Sequence, residues 1–206
     1  MSRQLRIEPS LEGFREQAVD RRVVGVRTRL RADDLTPIAL YEQLTGEAEG
    51  SFIFESVEQG TWSRWSFIGV RCPSMLVGRG NTSEWLGRPL EGIPRHGPCL
   101  DVLAATLRAL HTPADPELPP FSSGLVGYLG WDVKRQVEPS LGEPNPDDIG
   151  VPDSVMMLAT DMAVLDHHRG EVWLIANAIN FNDTADGVDE AYRDAVERVH
   201  RMATRL

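Results

Sequence analysis

The feature that most constrains the fold is a pair of β-rich runs near the end of the chain. Residues 155–166 and Glu171–Ile179 are dense in Val, Leu, Ile, Met and Ala, and Arg169-Gly170 lies between them. Two such runs joined by so short a turn read as a β-hairpin, so the strands pair antiparallel. Further short β-rich runs lie at 23–30, 51–57, 65–70, 74–79 and 123–132. Helical patterns occupy 10–19, 36–46, 100–111 and 186–206. Strands and helices alternate without a repeating βαβ rhythm. The expected class is therefore α+β, with largely antiparallel sheet packed with helices.

Local signals place the elements. Ser10 is a good N-cap for the first helix. Thr36-Pro37 starts the second, with Thr as cap and Pro in the first turn, and Gly46 stops it. In the third helix Leu100, Leu103, Ala104, Leu107 and Leu110 form the expected buried stripe. In the last, Val188, Tyr192, Ala195, Val199 and Met202 do the same. Residues 78–98 are rich in Gly, Pro and Asn and read as turns, and the four prolines of 111–121 read as an extended connection. The last helix reaches the chain end without a stop signal, as expected for a cut in a longer protein.

Composition excludes several classes. The 206 residues carry a formal net charge of -10, from 31 acidic and 21 basic residues. That balance argues against a nucleic-acid partner or an anionic membrane surface. Cys72 and Cys99 sit in no CxxC pattern, so a reduced, cytoplasmic protein is expected rather than a disulfide or zinc scaffold. The N-terminus lacks an apolar signal core, and the best apolar run, at 155–165, is short and contains Asp161.

Few motifs carry chemistry. The run at 123–132 reads as a buried strand; its Gly124, Gly127 and Gly130 match neither GxGxxG nor a Walker loop, and fit close backbone approach in that strand. His167 and His168, near Asp161 and Asp166, are adjacent; neighbours on a strand point to opposite faces and do not suit a shared metal, so a polar hairpin end is the expected reading. The informative stretch is 52–69, FIFESVEQGTWSRWSFIG. Phe52, Ile53 and Phe54 suggest a strand covered on both faces, ending in Glu55-Ser56. Polar groups there need partners. Internal pairing, for example Glu55 with Arg64, is the plainer reading. A pocket for a small zwitterion is the sharper one: Glu55 meets an ammonium, Ser56 gives a neutral hydrogen bond, and apolar neighbours hold a ring.

This stretch resembles the N-terminal domain of anthranilate synthase component I, of the chorismate-utilising enzymes. The family's Leu-Leu-Glu-Ser stands here as Ile53-Phe54-Glu55-Ser56. Its Arg-Tyr-Ser-Phe-Ile-Gly stands as Arg64-Trp65-Ser66-Phe67-Ile68-Gly69. Leu35-Thr36-Pro37, the run from Gly124 through Gly130-Trp131-Asp132, Thr160-Asp161 and Ile175-Ala176-Asn177 fit as well. The resemblance extends from about Phe14 into the last helix.

The resemblance implies a single N-terminal regulatory domain over 1–206 that packs on a larger catalytic domain absent from this chain. That domain binds chorismate and magnesium and carries the lyase chemistry of tryptophan biosynthesis. No catalytic residue, metal site or cofactor is expected in 1–206, which alone is expected to be inactive. A glutamine amidotransferase, component II, supplies ammonia. L-tryptophan is the feedback inhibitor, bound between the two domains. Glu55 and Ser56 are the implied tryptophan contacts, and Arg64 and Ser66 are placed there by proximity. Phe54, in place of the motif's second leucine, alters the pocket wall. Two alternatives stand beside this reading. One is the matching domain of aminodeoxychorismate synthase component I, in folate synthesis. The other is a free-standing interaction domain that complements a separate catalytic chain.

Overall fold

The computed structural model of the chain describes residues 5–32, 34–46, 49–55, 64–138, 140–142 and 146–206. Its strands are β1 (Val23–Arg31), β2 (Phe52–Phe54), β3 (Trp65–Arg71), β4 (Ser74–Arg79), β5 (Thr82–Leu86), β6 (Gly124–Leu129), β7 (Ser154–Ala159), β8 (Asp161–Asp166) and β9 (Glu171–Ile179). Its helices are α1 (Leu11–Ala18), α2 (Pro37–Thr45), α3 (Cys99–Ala109) and α4 (Val188–Thr204), with a 3-10 helix at Trp131–Gln136. The strands form a five-stranded sheet in the order β1-β9-β8-β3-β2 and a four-stranded sheet in the order β5-β4-β7-β6. The paired strands of both sheets run antiparallel, and helices pack against them, which is the expected α+β class.

Two neighbouring chain segments connect the sheets. β3 leads into β4 through Cys72-Pro73, and β7 leads into β8 through Thr160. At this corner the Arg71 carbonyl accepts from both the backbone N–H (3.1 Å) and the hydroxyl (2.9 Å) of Thr160. The expected single strand at 155–166 is thus two strands in different sheets. Apolar residues flank Thr160-Asp161 on both sides, so the bend leaves only that short polar interruption in the hydrophobic pattern.

The five-stranded sheet is covered on both faces. Ala163, Leu165, Val172, Leu174 and Ala176 face a core completed by Phe14, Leu40, Leu44, Val199 and Met202 from the helices. Met162, Val164, Trp173 and Ile175 face a second core with Phe52, Cys72 and Val126. This explains why β8 and β9 read as continuous apolar runs rather than alternating ones. A third core places Leu76 and Leu158 of the smaller sheet against Val102 and Cys99 of α3. Leu40 and Leu44 are fully buried, and truncating either to Ala costs about 2–5 kcal/mol.

The caps stand where the sequence places them. Ser10 accepts from the N–H of Gly13, Thr36 accepts from Ala39, and Gly46 closes α2 at φ 58°. Three expectations are corrected. The turn-rich segment contains a strand, β5, paired with β4. The deepest face of α3 is Cys99, Val102 and Thr106, while Leu107 is exposed. Thr106 tolerates burial because its hydroxyl bonds the Val102 carbonyl at 2.7 Å. β6 is an edge strand rather than a buried one, with Tyr128 and Leu129 about half exposed. Its glycines do admit close backbone approach: a Cβ on Gly127 would lie 1.8 Å from the Val155 carbonyl oxygen.

Cys72 and Cys99 are free and buried. Burial pushes the Cys72 thiol up to about 12. Among the described residues no helix is long and apolar enough to cross a membrane, and no group of three or more His, Cys, Asp and Glu side chains is placed to hold a metal ion.

Candidate functional site

Of the stretch 52–69, the described parts, 52–55 and 64–69, lie at the β2–β3 edge of the five-stranded sheet. β2 pairs with β3 so that Phe52 faces Gly69, Ile53 faces Ile68 and Phe54 faces Phe67. Phe52 fits there because Gly69 has no side chain: a Cβ would lie 2.1 Å from its ring. Glu55 follows Phe54 directly, on the strand's outgoing end, and is exposed. No described residue gives it a hydrogen bond or ion pair. Ser56 lies outside the described residues. Phe54 is 48% exposed and its ring stacks 5.0 Å from Phe52.

Arg64 and Ser66 both have partners within the fold. Arg64 grips Asp166 at the end of β8 through two hydrogen bonds, Nε to Oδ1 at 3.0 Å and a terminal nitrogen to Oδ2 at 2.6 Å. Its partner is therefore Asp166, 102 residues away, and not the nearby Glu55. The guanidinium also lies over the Trp65 ring at 4.3 Å. Ser66 is fully buried, and its hydroxyl is 2.8 Å from His167 Nε2. The N–H of His167 donates to the Arg64 carbonyl at 2.9 Å. Arg64, Trp65 and Ser66 are thus tied to the turn between β8 and β9.

Asp166 is the electrostatic centre of this frame. Burial pushes its carboxyl up. The Arg64 hydrogen bonds and charge, with the N–H groups of His168 and Arg169, outweigh that, and its pKa settles below the usual carboxylate value. The side chain stays ionised and holds the frame. Neither Asp166 nor His167 stands out as a site residue in the sequence, because the β3–β8 register that brings them to Arg64 and Ser66 spans about half the chain.

Chemically, this end of the sheet presents one uncommitted carboxylate beside exposed aromatic surface, on a rigid two-strand base. That suits a cation with an apolar body.

No protein-family model matches the chain. Known sequences do. The chain is 48% identical over 198 residues to anthranilate synthase component 1 of Mycolicibacterium smegmatis, covering 96% of this chain and 38% of that protein. It is 46% identical over 201 residues to anthranilate synthase component 1 of Arthrobacter globiformis, covering 97% of this chain and 38% of that one. The chain thus spans about two fifths of the length of these relatives. A crystal structure of anthranilate synthase component I from Streptococcus pneumoniae aligns with 83% of this chain and 36% of its own, at TM-score 0.48 and 20% identity.

Proposed function

We propose that this chain, which corresponds to the N-terminal region of the anthranilate synthase component 1 family, is the tryptophan-sensing part of an enzyme whose chemistry lies outside it. The observation that carries the reading is Glu55, exposed and without a described partner directly after the half-exposed Phe54 at the end of β2. An amino-acid inhibitor brings an ammonium, which a carboxylate binds by charge-assisted hydrogen bonds, and an aromatic side chain, which Phe54 can contact. Ser56 is adjacent in sequence and adds a neutral hydrogen bond. Arg64 and Ser66 belong to the site as its frame: they fix β3, and through β3 the exit of β2.

The remaining wall of the pocket comes from the catalytic domain. Its docking face is marked by exposed apolar side chains in and after β6. Tyr128 and Leu129 are about half exposed, Trp131 is 81% exposed and Ile149 82%. So much apolar surface along an unpaired strand edge favours a partner. Conversion of chorismate to anthranilate, with magnesium and with ammonia from a glutamine amidotransferase, is assigned to that domain and its partner subunit. Tryptophan inhibits by binding better to the domain arrangement that is poor at catalysis, because only differential affinity shifts a population.

The test is steady-state inhibition of the full-length enzyme. Glu55→Gln keeps the shape of the side chain and removes its charge. The tryptophan concentration for half-inhibition should rise about 10-fold or more, with turnover in its absence unchanged. A Ser56→Ala enzyme should show a smaller loss of the same kind. Full sensitivity to tryptophan in both variants would remove the assignment.

A further inference from the structure

A second feature lies away from Glu55, at the corner where the two sheets meet. A cleft of about 570 Å³ opens between the ends of α1 and β9, the amino end of α4 and the start of β4. Five arginines line it: Arg21, Arg22, Arg71, Arg88 and Arg198. Three carboxylates face them, Asp186, Glu190 and Asp194. This excess of positive charge stands in a chain whose net charge is -10.

The partners of these groups decide what is left for a ligand. Arg198 is committed to Asp161, Asp194 and the Asn177 carbonyl. Arg22 is committed to the carbonyls of Asn180 and Glu91. Glu190 pairs with Arg193 outside the cleft. Arg71 and Arg88 stand at the mouth with no hydrogen bond or ion pair to a described side chain, and Arg88 rests on the Phe181 ring at 4.5 Å. Within the cleft, Asn180 Oδ1 is shielded from solvent with no hydrogen-bond partner, and Arg21 Nε, also shielded, has no hydrogen bond and only a long ion pair to Asp20 at 3.5 Å. Shielded polar atoms are normally satisfied, so an acceptor without a hydrogen bond beside a weakly paired guanidinium in one cleft points to a missing occupant. The amino end of α4, which has no side-chain cap, opens on the same space and adds a weak positive field.

We propose that this cleft binds a small hydroxylated polyanion. Its anionic groups lie between Arg71, Arg88 and Arg21, where guanidinium forks match carboxylate or phosphate oxygens. Its hydroxyl donates to Asn180 Oδ1. Phe14 and Phe181 line the apolar part of the wall. The volume suits a molecule of metabolite size. The site is independent of the tryptophan assignment and shares no residue with it.

The test is calorimetric titration of the full-length protein with four probes: glycerol 3-phosphate, citrate, malate and succinate. Phosphate and carboxylate sources are separated by the first two. The malate–succinate pair differs by one hydroxyl and reads the Asn180 acceptor. One-to-one binding at a Kd of about 1 mM or tighter is expected for at least one of the first two, and malate should bind more tightly than succinate. Arg71→Gln and Arg88→Gln should each weaken binding about 10-fold, Arg88→Lys should weaken it less, and Glu55→Gln should leave it unchanged. Thermal melts confirm that the variants are folded. An absence of heat with all four probes, or affinities indifferent to both glutamine substitutions, would overturn the proposal.

Discussion

Asp166 shows how one side chain sets up a site it does not enter. It is fully buried, yet its pKa is held below that of the unfolded chain by Arg64 and two backbone N–H groups. The unfolded state therefore binds a proton more readily, and stability from this group rises with pH. Its contribution is complete above the unfolded carboxylate value of about 3.9 and is lost as pH falls through the lower folded value. Asp166→Asn should cost about 1–3 kcal/mol in urea unfolding at pH 7 and flatten the acid limb of the stability curve below about pH 4. An unchanged acid limb would mean that the carboxylate contributes nothing to the folded frame. The sequence singles out Arg64 and Ser66 but not Asp166 or His167. A residue's own neighbours identify its chemistry, whereas its partner depends on strand register, which local pattern does not encode for segments about a hundred residues apart. Glu55 is the converse case, legible by resemblance and left open by the plainer pairing with Arg64, which the structure replaces with Asp166.

At the scale of elements, caps and turn residues proved most legible. Thr36-Pro37 and Gly46 bound α2 because each satisfies a geometric demand made within a few residues. Helical faces were less so. In α4 the apolar stripe and the buried face agree, but the buried Arg198 lies among them, neutralised by Asp161 and Asp194. In α3 the leucines outnumber the residues that are deepest, and contact with the smaller sheet selects Cys99, Val102 and Thr106 instead. Arg198→Ala should leave Asp161 buried without its partner and cost about 3–5 kcal/mol, a large loss for a surface-helix position read from sequence alone. Thermal and urea unfolding of this variant, beside Glu197→Ala on the exposed face of α4, separates the two cases. The strand glycines behave as the sequence suggests. Gly127→Ala brings a Cβ onto the Val155 carbonyl and should destabilise by about 2 kcal/mol or more, whereas Gly142→Ala meets nothing within 4 Å and should stay within about 0.5 kcal/mol.

The whole molecule is two antiparallel sheets joined at a corner, with one sheet buried on both faces and the other ending in an open, apolar edge. The class was legible from the order of runs and the hairpin, since antiparallel pairing follows from short connections. The corner was not, because the apolar residues on either side of Thr160-Asp161 read as one strand and hide the change of sheet. The edge was not either: the same run of glycine, leucine and tyrosine reads as buried until its neighbour strands are known. On its own, this chain should self-associate through that edge, and Tyr128→Ser with Trp131→Ser should reduce the association seen in sedimentation velocity. A monomer at all concentrations would argue against β6 as the docking face. The central claim is that Glu55 and its surroundings form half of a tryptophan pocket completed by the catalytic domain. Calorimetric titration of L-tryptophan into the chain, with and without a separately produced catalytic domain, tests it most directly. The account predicts saturable binding when both are present, weakened about 10-fold or more by Glu55→Gln. No binding to the pair, or equal binding by the Glu55→Gln chain, would contradict it.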